Sequence, residues 1–478
     1  MSDKPQRSVT LPTRILYGTG SVADGVKNTT FNTFLLFFYT QVAGLSGSMA
    51  GAAIFIALLV DAVTDPLLGS ISDNFRSRWG RRHPFIYASA VPMALCFVAL
   101  FHPPQTGDQT SLFLWMLAFT IGVRVSMTLY AVPSSALVAE MTPNYDERTS
   151  LVSFRVLFGW VGGITAVQVG YLVFFAPSAE FADGRLNFDA YGDYAMAGAI
   201  AIFCAIMICG IGTHRLIPNL HENAEGVSFT FRGFIRELKD VFSNKAYLVL
   251  VFAILTIATA TGFTDNMSLY VNTYFWELST AQIALLVYGA LVGTLLAFML
   301  TSTIAARTDK RTTAIVYMVG ILVIGPLPVC LRLLGLMPEN GHPALVPVLW
   351  VWTMTIVFVA VGTTILVGSM IADIIDQSEL KTGKRQEGMF NAAFALTSKA
   401  TSGLGGLIAG IALDVVAFPT GVAPGDVDAD TIYSLGLAVG PGILLFWVIA
   451  LVIVSRYPLT RADHAQIIRE LNERRAAS

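Results

Sequence analysis

Two carboxylates one helical turn apart, Asp61 and Asp65, stand inside a run of apolar residues long enough to cross a bilayer, from 49 to 71. Residues at i and i+4 share one face of an α-helix, so both acids point the same way. A charged side chain at the centre of a membrane costs about 2.5–3.5 kcal/mol on insertion scales. Like charges repel each other unless a cation or a proton lies between them. The spacing therefore predicts a cation site, and a purely structural pair is the alternative.

Other ionisable side chains fall at a similar depth in apolar stretches, namely Asp24, Lys27, Arg124 and Lys399. Charges inside a membrane usually face a cavity, a bundle interior or one another. They can be structural ion pairs, such as Asp24 with Lys27 at i and i+3, or they can line a binding cavity. We favour a binding cavity for the set as a whole, because these charges belong to spans far apart in the sequence and yet lie at one depth of the membrane.

Acidic and basic residues also meet where apolar stretches end, near residue 73 and near residue 376. Charge pairing at such ends can hold one side of a transporter closed, and ordinary positive charge on the inner side of a membrane protein is the alternative. The predicted cytoplasmic gate consists of Asp73, Arg81, Arg82, Asp373, Asp376 and Arg385.

The composition is that of a polytopic membrane protein. Of 478 residues, 54% are apolar and only 13% are charged, against about 25% charged in soluble domains. The formal net charge of −2 gives no basic surface for nucleic acid. The four cysteines lack CxxC spacing and the six histidines lie at loops or span ends, so neither set predicts a metal site. No GxxxxGK[ST] loop is present, which argues against an ATP-driven pump or a membrane enzyme. No cofactor is predicted apart from a coupling ion, Na⁺ or H⁺.

Windows of about 20 apolar residues predict membrane-spanning helices. The sequence contains twelve, near residues 15–43, 48–72, 84–103, 111–139, 149–176, 193–216, 246–275, 281–305, 312–336, 344–372, 387–416 and 432–456. Most Lys and Arg residues fall near the N-terminus, in the loops after even-numbered spans and in the C-terminal tail. This bias predicts that both termini are cytoplasmic. We expect the chain to lie in the inner (plasma) membrane.

A faint internal repeat divides the chain into halves. Leu45-Ser46 before span two recurs as Leu278-Ser279 before span eight, and the interval from Leu45 to Leu278 defines the repeat offset. Parallel repeats of this kind are a transporter architecture with a binding site near the midplane. At the repeat offset the acid pair becomes Thr294 and Phe298, so ion coupling should depend on the first half.

The predicted fold is therefore an all-α polytopic membrane protein with two pseudo-symmetric six-helix bundles. The predicted boundaries are an N-terminal bundle at 1–217, a linker with an interfacial helix at 218–245, a C-terminal bundle at 246–457 and a cytoplasmic tail at 458–478.

Several motifs, in consistent order from about residue 14 to 464, resemble the glycoside–pentoside–hexuronide:cation symporters of the major facilitator superfamily, in which melibiose permease is the familiar member. The motifs are Tyr17-Gly-Thr-Gly20, Phe38-Tyr39-Thr40, Asp61-Ala-Val-Thr-Asp65-Pro66, Arg78-Trp-Gly-Arg-Arg-His-Pro84, Met370-Ile-Ala-Asp373-Ile-Ile-Asp376, Thr382-Gly-Lys-Arg-Gln-Glu-Gly388 and Tyr457-Pro-Leu-Thr460 with His464. The resemblance implies the major facilitator fold and cation-coupled transport by alternating access.

The resemblance also implies site residues. It places cation binding at Asp61, Thr64 and Asp65, where Thr64 stands in place of an asparagine, and it makes Asp61 and Asp65 the Na⁺ ligands if sodium is the coupling ion. It places solute binding at Arg155 and Lys399. Together with mid-span charges and possible replacements for lost groups, the predicted solute-binding residues are Asp24, Arg124, Tyr130, Arg155 and Lys399.

The chain departs from the family pattern at three pocket positions. One expected aspartate is Gly25, the other is Val125, and the expected stacking tryptophan is Leu129. We expect Asp24 to replace a lost carboxylate and Tyr130 to replace the aromatic platform. These departures make an α-galactoside such as melibiose a poor candidate for the solute.

The leading hypothesis is a secondary symporter, not an enzyme, that carries a glycoside or a related small polar solute with Na⁺ or H⁺. A sodium-dependent carrier of lysolipids or similar amphiphiles is the first alternative, because a more apolar pocket with one lysine suits an acyl chain and a charged head. A membrane sensor without flux is the second alternative. The predicted partners are the solute and membrane lipid, and we predict a monomer.

Overall fold

The computed structural model describes residues 9–105, 107–219, 245–382, 403–456 and 461–477. Within these ranges the regular structure is helical throughout. Nine helices in the described part of the chain are long and apolar enough to cross a membrane, namely Gly47–Asn74, His83–Leu100, Gln109–Met141, Asp146–Phe174, Phe188–His214, Thr280–Arg307, Lys310–Leu333, Leu345–Leu380 and Ala429–Ser455. They correspond to nine of the twelve predicted spans.

The other three predicted spans have a different form. Span one is broken into several short helices, span seven is the helix Lys245–Tyr270 with a short continuation, and only Gly403–Val415 of span eleven is described. The count of twelve is therefore confirmed only in part. The predicted interfacial helix of the linker lies outside the described residues.

The chain separates into two compact units, 1–228 with 419–423, and 229–418 with 424–478. The helices of the first unit are α1 Leu11–Thr19, α2 Ser21–Thr30, α3 Gly47–Asn74, α4 His83–Leu100, α5 Gln109–Met141, α6 Tyr145–Val169 and α7 Phe188–His214. Aromatic side chains fill the end of this unit near the π-helical segment Phe31–Leu35, which continues α2. The ring centroids of Phe175 and Tyr191 lie 4.4 Å apart, and those of Phe34 and Tyr194 lie 5.4 Å apart. Such contacts add to the burial of apolar area that holds the helices together.

The helices of the second unit are α8 Lys245–Tyr270, α9 Thr280–Arg307, α10 Lys310–Ile324, α11 Leu327–Leu333, α12 Leu345–Thr382, α13 Gly403–Val415, α14 Ala429–Leu437, α15 Leu444–Ser455 and α16 Arg461–Ala477. The last helix is anchored to the end of α12, where the guanidinium of Arg474 donates to the carbonyl of Leu380 at 2.6 Å.

The backbone reproduces the sequence repeat. A π-helical segment at Phe38–Val42 recurs at Val271–Phe275, which is the position that the repeat offset gives. The hydrogen bond from Leu45 N to Tyr39 O, 2.8 Å, has its counterpart from Leu278 N to Asn272 O, 2.9 Å. After each of these turns a helix of 28 residues begins, α3 in one unit and α9 in the other. The same local geometry thus leads into the second span of each half.

Candidate cation and solute site

The two acids of α3 meet a hydroxyl of α5. The Oγ1 atom of Thr128 lies 2.9 Å from an oxygen of Asp61 and 2.8 Å from an oxygen of Asp65. Asp61 and Thr128 are both buried, with 6% and 3% of their surfaces exposed. Both acids therefore point to one side of their helix, as the i, i+4 spacing predicts, and the helix that faces them is α5.

One hydroxyl cannot satisfy both contacts by donation. A threonine hydroxyl carries one hydrogen and two lone pairs. The hydrogen can go to one carboxylate or to the backbone carbonyl of Arg124 at 3.1 Å, so at least one carboxylate oxygen lies within 3 Å of a lone pair unless a positive species lies between them. Three oxygens that converge in this way are ligands of the type that hard cations prefer, and a proton on one carboxyl would serve the same purpose.

Arg124 belongs to this cluster. Its Nη1 atom lies 3.5 Å from the second oxygen of Asp61, and its Cζ atom lies 5.5 Å from the ring centroid of Phe31. The side chain therefore bridges α5, α3 and the segment that continues α2. Arg124 thus lies against the acid pair, and solute binding by Arg124 stays a prediction.

Proline interrupts both helices of the cluster close to the acids. Pro66 follows Asp65 in α3, and Pro133 lies five residues after Thr128 in α5. Since proline has no N–H, each removes one backbone hydrogen bond and leaves a carbonyl four residues earlier without its usual donor. The helices are thus least regular where polar groups have to converge.

Thr64 faces its own helix. Its hydroxyl donates to the backbone carbonyl of Asp61 at 3.2 Å. The hydroxyl that contacts both carboxylates comes instead from Thr128 on the neighbouring helix. A cation role for Thr64 stays a prediction.

A cavity of about 630 Å³ lies between α2 and α6 of the first unit. Its wall combines charged and amide side chains with an aromatic ring and aliphatic groups. The lining residues include Ser21, Asp24, Asn28, Thr29, Asn32, Arg155, Trp160, Ile164 and Val167. A concave site with a few polar groups on an apolar wall is typical of small-molecule binding.

The two charged residues of this wall differ in their partners. Asp24 lies 3.6 Å from Lys27, as the i, i+3 spacing predicts, yet 47% of the Asp24 side chain remains exposed. Arg155 lies with its Cζ atom 5.8 Å from the ring centroid of Tyr17 and forms no ion pair with a carboxylate of the described residues. The wall therefore offers both a hydrogen-bond acceptor and a set of guanidinium donors.

Glycines bring α2 and α6 together and explain one departure from the family pattern. A Cβ atom added at Gly25 would lie 2.0 Å from the backbone oxygen of Gly159, and one added at Gly162 would lie 2.8 Å from the backbone of Val22. No side chain fits at Gly25 unless the helices move apart. The position where the family has an aspartate is thus a helix contact here, and the acid beside the cavity is its neighbour Asp24.

The aromatic ring in the cavity wall is Trp160, with 47% of its surface exposed. Tyr130, predicted as the aromatic platform, is 1% exposed and packs against Gly20 and Cys209. It is not among the residues that line the described cavity. Lys399 lies outside the described residues.

The predicted gate residues of the first unit form a tight cluster around Arg82. Its guanidinium lies 2.5 Å from Asp73, 2.8 Å from Glu140 and 2.8 Å from the hydroxyl of Ser72. Arg81 also contacts Glu140 at 3.0 Å. The cluster joins the ends of α3 and α5 through the loop between α3 and α4, so these contacts stay within one unit.

The second unit has a corresponding cluster with different partners. Asp373 accepts from Lys310 at 2.7 Å, and His464 lies 3.5 Å from Asp373 and 3.1 Å from Asp376. The predicted basic partner, Arg385, lies outside the described residues. Asp373 corresponds to Glu140 at the repeat offset, so the repeat preserves an acid that binds the preceding basic loop.

Three residues of the site escaped the sequence analysis: Thr128, Glu140 and Trp160. Thr128 is an ordinary mid-span threonine until the packing of α5 on α3 is known. Glu140 looks like a solvated acid at a span end, although its side chain is 7% exposed. Trp160 lies five residues after Arg155, which is not a same-face spacing, so no signal in the sequence marked it either.

A family model covers almost the whole chain. Residues 16–461 match the family model described as MFS/sugar transport protein, and the chain belongs to this family. It is accordingly an integral membrane transporter of the major facilitator superfamily and not an enzyme.

Curated relatives are similar along most of their length. The chain is 27% identical to an uncharacterized symporter of Synechocystis sp. over 97% of this chain and 96% of the relative. It is 25% identical to the isoprimeverose transporter of Lactiplantibacillus pentosus, over 84% and 79%. It is 24% identical to the putative glycoside/cation symporter YagG of Escherichia coli (strain K12), over 98% and 96%.

Solved structures share the fold. The nucleoside transporter NupG superposes with a TM-score of 0.63 at 14% identity, covering 94% of this chain and 99% of that chain. The inward open xylose transporter XylE from E. coli superposes with a TM-score of 0.60 at 17% identity, covering 94% and 96%. At such identities the likeness concerns the major facilitator fold alone.

Proposed function

We propose that this transporter is a symporter that carries a glycoside or a related small polar solute together with Na⁺ or H⁺. The observation that carries the proposal is the Thr128 hydroxyl, which lies within 3 Å of both Asp61 and Asp65. A cation or proton bound among these oxygens lowers the cost of two acids in a spanning helix. The proposal needs no cofactor apart from this ion.

Arg124 supplies a physical route from the ion to the solute. It shares Asp61 with the proposed cation and lies over Phe31, whose neighbour Asn32 lines the cavity. A cation that attracts Asp61 weakens the ion pair between Asp61 and Arg124. Arg124 also contacts Phe31, so a shift of its guanidinium changes the packing of the segment that carries Asn32. Ion binding and solute binding then favour the same conformation, which is the requirement for coupling.

The cavity wall suits a sugar. The Arg155 guanidinium can donate two parallel hydrogen bonds to sugar oxygens, and the exposed Asp24 carboxylate can accept hydrogen bonds from sugar hydroxyls. The amides of Asn28 and Asn32 can donate and accept. Trp160 offers a flat apolar surface beside these polar groups. Two relatives named for isoprimeverose and for glycosides support this class of solute.

We further propose that both termini are cytoplasmic and that the chain lies in the inner membrane as a monomer. In this orientation the clusters around Arg82 and around Asp373 lie on the cytoplasmic side, where each stiffens one half during alternating access. The positive-inside bias of the loops supports the orientation.

Uptake by purified protein in proteoliposomes tests the function. The panel is isoprimeverose, a methyl glucuronide and a lysophosphatidylcholine, each with an inward Na⁺ gradient, an inward H⁺ gradient or neither. We expect gradient-dependent uptake of a sugar, lost in Asp65→Asn. Sugar uptake that ignores both gradients, or that survives fully coupled in Asp65→Asn, would contradict the proposal. Transport of the lysolipid alone would support an amphiphile carrier instead.

A further inference from the structure

A polar stripe runs along one face of α8 in the second unit. Thr261, Thr264, Asp265 and Ser268 follow one another at helical spacing, and all four are exposed or half-buried. The helix is otherwise rich in apolar residues. An ionisable residue in such a helix usually faces a cavity or a water-filled path, because contact with lipid is costly.

The hydroxyls of this stripe donate their hydrogens to backbone carbonyls of the same helix. Thr261 donates to the carbonyl of Ile257 at 2.9 Å, Thr264 to that of Ala260 at 3.0 Å, and Ser268 to that of Asp265 at 2.7 Å. Each hydroxyl has a single hydrogen, so none of the three donates to the Asp265 carboxylate. The stripe therefore presents oxygen acceptors.

The Asp265 carboxylate has neither a hydrogen bond nor an ion pair with any residue in the described ranges. Asp265 is half-buried, so its carboxylate is accessible while no protein group in the described ranges donates to it. Hydrogen bonds to charged groups are among the stronger ones in proteins, so a ligand that brings donors to this face would gain from this carboxylate. A basic side chain could also pair with this carboxylate, but it would be a permanent partner, whereas a transported solute binds and leaves.

Two positions on this face correspond, in the sequence repeat, to residues that line the cavity of the first unit. At the repeat offset Asp265 corresponds to Asn32, and Thr261 corresponds to Asn28. Asn28 and Asn32 both line the cavity of about 630 Å³. The corresponding spans of the two halves thus use the same two helix positions for polar groups, amides in one half and a hydroxyl with a carboxylate in the other.

We propose that Asp265 is a solute-binding carboxylate that accepts hydrogen bonds from neighbouring hydroxyls of the transported sugar. The inference rests on the proposed function for the class of solute, but not for the exposure of Asp265 to water. It gives the second unit a solute-binding acid of its own and keeps the coupling ion at Asp61 and Asp65.

The kinetic test separates solute binding from ion coupling. In proteoliposomes with isoprimeverose, or with the methyl glucuronide if that is the sugar transported, Asp265→Asn should raise KM about tenfold or more, because a hydrogen bond to a charged group is lost. The cation concentration for half-maximal uptake should stay unchanged. Asp265→Glu, which keeps the acceptor, should recover part of the affinity. An unchanged KM, or a loss of cation dependence in Asp265→Asn, would overturn the proposal, and the second result would make Asp265 a carrier of the coupling ion.

Cysteine labelling tests the environment of Asp265 without any solute. In a variant whose four native cysteines are replaced by serine or alanine, Asp265→Cys and Thr261→Cys should react with a charged methanethiosulfonate reagent added in water. Phe252→Cys, whose parent side chain is 54% exposed on an apolar part of the same helix, should not react. The transported sugar should slow the labelling of Asp265→Cys.

The outcomes distinguish the two proposals. No labelling of Asp265→Cys while the wild type transports sugar would overturn the role of Asp265 and leave the transport function intact. Labelling in a protein that transports no sugar of the panel would overturn the glycoside as the ligand of Asp265 and would count against the proposed function. Labelling that the transported sugar does not slow would place Asp265 in water but away from the solute, which also overturns the proposal.

Discussion

The second spans of the two halves, α3 and α9, share their length and the turn that precedes them but differ in chemistry. Both contain 28 residues and both follow a π-helical segment at the repeat offset. In α3 the inward face carries Asp61 and Asp65, whereas α9 has the buried Thr294 and the exposed Phe298 at those positions.

The facing helices differ in the same way. Arg124 and Thr128 of α5 correspond at the repeat offset to Val357 and Val361 of α12. All four polar groups of the ion cluster are therefore confined to one half. The repeat supplies a helical frame twice, and the coupling chemistry has been built into it once.

The charged clusters at the span ends, unlike the ion cluster, occur in both halves. Glu140 and Asp373 occupy equivalent repeat positions, and each pairs with a base that lies between the second and third spans of its half or at the start of the third. Both halves keep this feature, which suggests that it serves the stability of each half and not the choice of ion or solute. The comparison thus separates a frame that is shared from a site that is not.

The largest effect should come from the acid pair itself. Asp61→Asn removes the charge that the proposed cation neutralises, and we expect cation-coupled uptake to fall by about a hundredfold or more, as for loss of several kcal/mol of ion binding. The matched control is Thr294→Val in α9, which should leave cation dependence unchanged. Initial rates in proteoliposomes at varied Na⁺ and H⁺ measure both. Equal losses in the two variants would break the contrast between the halves.

The end clusters should differ in their contribution to stability. Glu140 and Arg82 are each 7% exposed, so Glu140→Gln removes one of the two carboxylate partners of a buried guanidinium, leaves Asp73 as the other, and should cost about 2 kcal/mol of unfolding free energy. Asp373→Asn should cost about 1 kcal/mol or less, because its partner Lys310 is 38% exposed. Thermal unfolding of both variants in detergent gives the comparison. A larger loss for Asp373→Asn would show that exposure does not set the strength of these pairs.

The glycine at position 25, which lines the cavity and contacts α6, has no glycine counterpart in the second half. Gly25 corresponds at the repeat offset to Ala258, so Gly25→Ala introduces a side chain that the second half already has. In the first half the new Cβ would overlap the backbone of Gly159, and we expect a loss of about 2 kcal/mol in unfolding free energy. Gly368→Ala is the control, since a Cβ there meets nothing within 4 Å. It should be neutral or slightly stabilising in thermal unfolding.

The smallest of these effects should follow changes at Thr128. Thr128→Val keeps the shape and removes the hydroxyl, so the cation concentration for half-maximal uptake should rise about tenfold. Thr128→Ser keeps the hydroxyl and should stay near the wild type. The KM for the sugar at saturating cation should change little in either variant. A serine variant as impaired as the valine variant would mean that the methyl group, not the oxygen, matters at this position.

Features that depend on neighbouring residues in the chain could be predicted from the sequence. The apolar runs, the i, i+4 acid pair, the i, i+3 contact of Asp24 with Lys27 and the repeat offset all depend on local periodicity. Thr128 could not be found in this way, because its role arises from packing between helices more than sixty residues apart. The burial of Tyr130 and the close approach at Gly25 likewise depend on tertiary contacts. Asp265 was overlooked because a single acid in a span has no periodic partner to mark it.

The ratio of cation flux to sugar flux in proteoliposomes tests the central claim most directly. A single ion site, made of Asp61, Asp65 and Thr128 in the first half, predicts one cation per sugar in the wild type. In Asp65→Asn, any residual sugar movement should carry no cation. A ratio of two, or a ratio that Asp65→Asn leaves unchanged, would contradict the account, because the coupling ion would then bind elsewhere.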